Sequence, residues 1–419
     1  MSKTTFGFIP VTSSGLPKPL EEIGSELWQQ LNHIGGEQFT GDRNCESLPT
    51  VFLILTGGSE QSVLELHSQR KKHFANEPVV LLAHPAHNSL PAAMEILARL
   101  HQIGAKGKII YLDEKSNKDW LDDLEKTIKH LTVYHQLKKI KVGLIGEPSA
   151  WLVASSPEIE TIKNVWGPEV VKISLKELEE TIAEMKDEDV ENEHFTFSKN
   201  AGEVKEPTKK EVKQAVRVYG AVKRIVQKYE LNAVSIRCFD LVLDIKATGC
   251  FALSKLNDDG IVAGCEGDLV STLGMLWANA MTDQTVWMAN PAQLDEQNNS
   301  IWFAHCTVPI SMIQTYKLRS HFESGLSVAI QGEFTKGKVT LLRLGGSNLD
   351  KIWITSGEIL ESGSAENLCR TQVNVKLHGA AKPSDLLNAP LGNHVLMLRG
   401  TYTKEMLNWW ETFIGNDNM

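Results

Sequence analysis

The sequence predicts an α/β protein with two parallel-sheet domains and a β-rich, barrel-like domain at the C-terminal end. Three observations carry this expectation. Short apolar runs alternate with helical stretches over about the first 175 residues. A second, shorter alternation surrounds residues 232–290. From about residue 310, closely spaced strand-like runs separated by Gly, Asn, Asp and Ser take over.

In the first region the runs FGFIPV, TVFLIL, VVLLAH, KIIYL and KVGLIG suit strands covered on both faces. Helical stretches are expected near 17–33, 60–71, 90–103 and 118–136. This spacing predicts a doubly wound, Rossmann-like sheet, with a first domain over 1–175. AHNSLPAAMEILARL opens with Asn88 and Ser89 as cap-type residues and has Pro91 in the first turn, a helix start of the kind that faces a ligand crevice.

Residues 186–207 are charged and lack an apolar period, so they read as a linker or exposed excursion. Thr208 and Glu211 then form a capping box ahead of a helix with Val212, Val216, Tyr219, Val222, Ile225, Val226 and Tyr229 on one face. A strand in NAVSIRCFDL, a helix near 249–257, the strand IVAGC and a helix after Asp268 complete a central α/β domain over 176–310. LSVAIQGEF, KVTLLRLGG, KIWITSGEIL, TQVNVKL and HVLMLRG, closed by the helix KEMLNWWETFI, predict the β-rich domain over 311–419.

Composition excludes several function classes. The 419 residues are 23% charged and 42% hydrophobic, enough for a core and too ordered for a disordered chain. With 43 Lys and Arg against 52 Asp and Glu, the net charge is −9, a poor match to nucleic acid. No apolar stretch approaches the ~20 residues of a membrane span. The N-terminal residues lack a signal-peptide pattern, and the six cysteines show no C-x-x-C pair, so a reducing cytoplasm is expected.

The common nucleotide, zinc-protease and serine-hydrolase signatures are absent. The densest polar cluster is GCEGD at 264–268, between a strand and a helix. Glu266 there is either exposed or serves a site; Asp268 is either only a helix cap or part of that site. His305 ends an apolar strand, His394 begins another, and His321 and Glu323 stand at the entry to the β-rich domain. Taken singly, each histidine can equally be structural. One carboxylate and two histidines at strand ends make a divalent-metal set, and mixed oxygen and imidazole ligation favours Mn²⁺.

RCFD (237–240), TGCFALSKLNDDGIVAGCEGD (248–268), AHCTVP (304–309), HFESG (321–325) and GNH (392–394) together resemble the L-fucose isomerase-like family, which is related to L-arabinose isomerase. AHNSLPAAMEILARL (86–100) and GEPSAWLVASS (146–156) resemble its N-terminal pieces. The resemblance implies an aldose–ketose isomerase that depends on a divalent metal, Mn²⁺ or another, and works through an ene-diol, with a fucose- or arabinose-like or modified sugar as substrate. It also implies a homo-oligomer, trimer or hexamer. It marks Glu266 as acidic ligand and base, and His394 as the C-terminal histidine ligand. His305 matches a histidine that binds metal or substrate. With Asp268, Asn88, Trp151, His321 and Glu323, His305 completes the candidate substrate contacts.

Two departures stand out. The family's second acid falls in WMANPAQLD, where Asn290 takes its place as candidate ligand and catalytic group; an amide cannot carry a proton as a carboxylate does. Asp268, Asp295 and Glu296 are candidate substitutes for that acid. Ala150 stands where related sequences often carry an acid. These departures keep open a sugar-binding or regulatory protein, an isomerase for an anionic sugar such as a sulfonated one, and a lyase or epimerase.

Overall fold

A computed structural model describes residues 6–13, 20–113, 115 and 119–415. The chain divides into two compact units, one of residues 1–136 with 409–419 and the other of residues 137–408.

The first unit holds β1 (Phe6–Val11), α1 (Leu20–His33), β2 (Gly36–Gln38), β3 (Thr50–Ile54), α2 (Glu60–Lys71), β4 (Val79–Ala83), α3 (Ser89–Gln102), β5 (Gly107–Tyr111) and α4 (Trp120–Leu137). Its five strands form one parallel sheet in the order β2-β1-β3-β4-β5. Every residue of β3 and β4 is buried, which is why both read as unbroken apolar runs. Ala92, Ala93, Ile96 and Leu100 set one face of α3 into the core shared with Phe52, Ile54 and Leu81. The expected starts of α1 and α4, at 17–19 and 118, lie outside the described residues.

The second unit opens with β6 (Lys141–Ile145), α5 (Ile159–Val165), β7 (Glu169–Ile173), α6 (Leu175–Glu184), α7 (Glu191–Asn200), β8 (Glu203–Val204), α8 (Lys209–Tyr229), β9 (Ala233–Ile236), α9 (Cys238–Ile245), α10 (Cys250–Asp258), β10 (Val262–Cys265) and α11 (Leu269–Thr282). It continues through β11 (Val286–Asp295), β12 (Ser300–His305), β13 (Thr315–Arg319), β14 (Ala329–Glu333), β15 (Gly337–Gly345), β16 (Lys351–Gly363), β17 (Thr371–Leu377), α12 (Asp385–Asn388) and β18 (Val395–Arg399). The closing α13 (Thr403–Phe413) begins here, and its residues from Trp409 belong to the first unit.

Three sheets organise this unit. A parallel sheet runs β10-β9-β6-β7, six antiparallel strands close a barrel in the order β11-β12-β17-β16-β15-β18, and β14-β13-β8 form a small third sheet. KVGLIG therefore supplies a strand of the second sheet, β6, which pairs with β7 and β9. The barrel takes two strands, β11 and β12, from before residue 310, while LSVAIQGEF supplies β14 outside the barrel.

The charged stretch 186–207, expected as a linker or exposed excursion, is largely exposed but carries regular structure. It contains α7 and β8, and β8 pairs with β13. One aromatic anchors it: Phe197 is 2% exposed and its ring centroid lies 3.9 Å from that of Phe251. Lys213 on α8 meets Asp187 and Glu191 at 2.9 Å each, so the charges dock this segment along α8. The capping box is as expected, with the Glu211 carboxylate accepting from the Thr208 backbone N–H at 2.8 Å.

Helix α11 is buried on nearly every side because it lies between the parallel sheet and the barrel. Gly274 permits this contact: a Cβ there would stand 2.6 Å from Leu396 Cδ1 of β18. Among the described residues no helix is long and apolar enough to cross a membrane.

Candidate metal centre

The turn after β10 builds the first part of the site. Glu266 has φ of +64° and Gly267 of +74°, left-handed values that bend the chain sharply from the strand into α11. Such a conformation is costly for a non-glycine residue and is characteristic of functional turns. The loop after β6 lies against it: Ser149 N–H donates to Glu266 O at 2.9 Å, and a Cβ on Gly267 would fall 2.8 Å from Pro148 Cα. From the same loop, Trp151 Nε1 donates to Glu266 Oε2 at 2.7 Å, although the indole is 52% exposed. Phe239 packs edge-on against both Trp151 and His321, with centroids 5.6 and 5.8 Å apart.

The barrel supplies the histidines. His305 ends β12 and His394 immediately precedes β18. Their ring centroids are 5.5 Å apart. The ligand atoms of Glu266, His305 and His394 all lie within 4.8 Å of one another, so the three can hold one metal ion. Asn290 sits in the barrel ladder between them. It pairs with Ala304, next to His305, and its neighbour Ala289 pairs with Val395, next to His394.

Each histidine is oriented from behind. His305 Nδ1 is hydrogen-bonded to Thr307 Oγ1 at 2.8 Å, and His394 Nδ1 to Asp268 Oδ2 at 2.8 Å. A carboxylate behind a ligating imidazole fixes the tautomer and presents the other nitrogen. His394 Nε2, 3.6 Å from Glu266 Oε1, is buried without a hydrogen-bond partner, and so is Asn290 Oδ1. Buried polar atoms are ordinarily satisfied. A carboxylate and two imidazoles whose ligand atoms converge fit a divalent cation.

Electrostatics separate the two histidines. Burial pushes His305 down to about 4. Burial works on His394 in the same direction, but the Asp268 and Glu266 carboxylates outweigh it and push it up to about 9. Glu266 is held below its ordinary value: burial raises it, and the neighbouring His394 lowers it further. Asp268 is held well below the carboxylate range, since Arg343 and His394 overcome a large desolvation.

The remaining sequence candidates distribute unevenly. Asp268 both caps α11, accepting from Ser271 N–H at 2.7 Å, and supports His394; it is fully buried, so it stands behind the histidine with no surface for a substrate. Asp295 closes the β11–β12 turn, five positions from Asn290, roughly 16 Å at ~3.3 Å per residue, and Glu296 follows it into the turn. Neither replaces an acid at Asn290. His321 is hydrogen-bonded to Ser324 Oγ at 3.1 Å, and Glu323 is exposed in the same turn. Asn88 is the left-handed N-cap of α3 in the first unit. Sequence reasoning missed Arg343 and Ser271, whose only signal is their bonding to Asp268 in the folded chain.

No family model matches the chain. Three curated relatives are each named sulfoquinovose isomerase. That of Alkalicoccus urumqiensis is 22% identical over 288 residues, 65% of this chain and 62% of its own. That of Priestia megaterium is 20% identical over 291 residues, 68% of this chain and 65% of its own. That of Clostridium sp. (strain MSTE9) is 26% identical over 176 residues, 42% of this chain and 39% of its own. The chain therefore aligns with less than two thirds of the length of these relatives.

Proposed function

We propose that this chain is a divalent-metal-dependent aldose–ketose isomerase that acts on an anionic, sulfonated aldose. The observation that carries the reading is the convergence of Glu266, His305 and His394 ligand atoms within 4.8 Å. The likeness to proteins named sulfoquinovose isomerase supports both the reaction class and the sulfonated substrate.

In this reading Glu266, His305, His394 and the Asn290 amide oxygen hold the cation, with Mn²⁺ favoured by the mixed donor set. A bound cation supplies Lewis-acid stabilisation of the negative charge that builds on O1 and O2 of the open-chain sugar. Isomerisation moves a proton from C2 to C1 and another from O2 to O1. Glu266 is the one carboxylate of the set, ionised and 17% exposed, so it is the group placed to take the C2 proton and return it to C1. Trp151 steadies its Oε2 by a hydrogen bond. The rings of Trp151, Phe239 and His321, packed edge-on beside Glu266, are the groups proposed to bind the sugar chain. Asn290, unlike an acid, adds no negative charge beside a sulfonated substrate.

The test is deuterium exchange at C2, followed by NMR, for sulfonated and neutral aldoses with dialysed and Mn²⁺-loaded protein. Metal-dependent exchange with the sulfonated sugar is expected, reduced about 10²–10⁴-fold in Glu266→Gln. Exchange undiminished in that variant sinks the mechanism. Asn290 favours a second reading, a sugar-binding protein without turnover; sugar binding with no exchange for any aldose would establish it.

A further inference from the structure

We infer that Arg343 is a positioning residue that fastens both arms of the ligand set, one to His394 and one to Glu266. The inference rests on the proposed metal role of those residues. Arg343 projects from β15, is 1% exposed, and lies behind Asp268, out of reach of a substrate.

The first arm runs through Asp268. Arg343 Nη1 donates to Asp268 Oδ2 at 3.3 Å and to Ser271 Oγ at 2.5 Å, and Ser271 Oγ donates to the same Asp268 oxygen at 2.6 Å. That oxygen accepts His394 Nδ1 at 2.8 Å. The guanidinium thus fixes the acceptor that fixes the imidazole. The second arm runs through Ser155. Arg343 Nη2 donates to Ser155 Oγ at 2.6 Å, and backbone bonds from Ser155 N–H to Leu152 O and from Leu152 N–H to Ser149 O hold the turn that carries Trp151. Trp151 in turn donates to Glu266 at 2.7 Å.

The guanidinium is also fitted to the chain leading into His394. A Cβ on Gly392 would lie 2.2 Å from Arg343 Nη2, and Arg343 Nε donates to Leu391 O at 3.4 Å. A planar fork serves Ser155 and Asp268 at once because its donors are held in fixed geometry; a lysine ammonium carries the charge on a single point. An ordinary counter-ion to Asp268 would need only that charge, and Lys would replace it.

The test is Mn²⁺ affinity of metal-stripped protein, read by the EPR signal of free Mn²⁺, for wild type, Arg343→Lys, Ser155→Ala and Asp268→Asn. Arg343→Lys is expected to bind Mn²⁺ about 10–100-fold more weakly, the range for loss of an outer-shell partner. Ser155→Ala is expected to lower affinity less, since it cuts one arm. In the double variant of Arg343→Lys with Asp268→Asn the two losses should be less than additive, because both act on His394. Folding is checked by circular dichroism. If Arg343→Lys does not fold, Ser155→Ala and Asp268→Asn decide. Affinities within twofold of wild type in the folded variants overturn the inference. Wild-type protein that binds no Mn²⁺ overturns the metal reading first and this inference with it.

Discussion

At the scale of single residues, the site sets one carboxylate and two unlike histidines around a common point. At pH 7 the metal-free site holds Glu266 and Asp268 ionised, His394 protonated with its pKa at about 9, and His305 neutral with its pKa at about 4. A cation must take the place of the proton on His394 Nε2, so binding should release about one proton. Competition from that proton fades as pH rises. Mn²⁺ affinity should therefore climb by about tenfold per pH unit from pH 6 towards 8 and level near 9. Calorimetry in buffers of different ionisation enthalpy measures the proton count, and a count of zero at pH 7 would contradict this charge assignment. Asn290→Asp probes the other departure. One more unit charge at ~4 Å from a divalent cation is worth about 8 kcal/mol at an effective dielectric constant of ~20, before desolvation. Mn²⁺ should bind at least about tenfold more tightly, while KM for a sulfonated aldose rises through repulsion. A lowered KM for the anionic sugar would remove the charge argument for Asn290.

At the scale of elements, local pattern was legible wherever burial is one-sided or complete. The apolar runs became β1, β3, β4 and β6, the Thr208–Glu211 box opened α8, and the GCEGD turn joined β10 to α11. Pairing across the chain was not legible. His305 and His394 meet because β11 lies between β12 and β18 in the closed barrel, and nothing in either strand encodes that closure. Arg343 reads in KVTLLRLGG as an ordinary strand residue, yet its partner Asp268 lies 75 positions away. Cys238 and Cys265, unremarkable in spacing, have Sγ atoms 2.9 Å apart. Helix α11 ties these levels together, since its N-terminus carries Asp268 and its middle presses on the barrel. Gly274→Val should push on Leu396 and Leu344 and cost about 1–3 kcal/mol by overpacking. Urea unfolding would report that loss. An unchanged midpoint would show that α11 can shift from β18 without penalty.

At the scale of the whole molecule, the proposed ligand set is drawn from two architectures within residues 137–408. The parallel sheet offers Glu266 from the carboxyl end of β10, where open α/β sheets place their ligands. The barrel offers His305, His394 and Asn290 from adjacent strands. In the proposed site a cation held by these residues would join sheet to barrel through the turn that starts α11. Binding to the folded state alone stabilises it by about 2.7 kcal/mol at ~100 times the dissociation constant. That stabilisation should not spread evenly, because local opening reactions differ in the contacts they break. Hydrogen–deuterium exchange with and without saturating Mn²⁺ should slow in 262–272, 286–305 and 391–399. The β1–β5 sheet of the first unit supplies no member of the triad and should exchange at an unchanged rate. Glu266→Gln should erase the difference at matched Mn²⁺ concentration. Protection gained chiefly in β3 or β4, or gained equally in the Glu266→Gln variant, would place the cation elsewhere and dissolve the link between sheet and barrel.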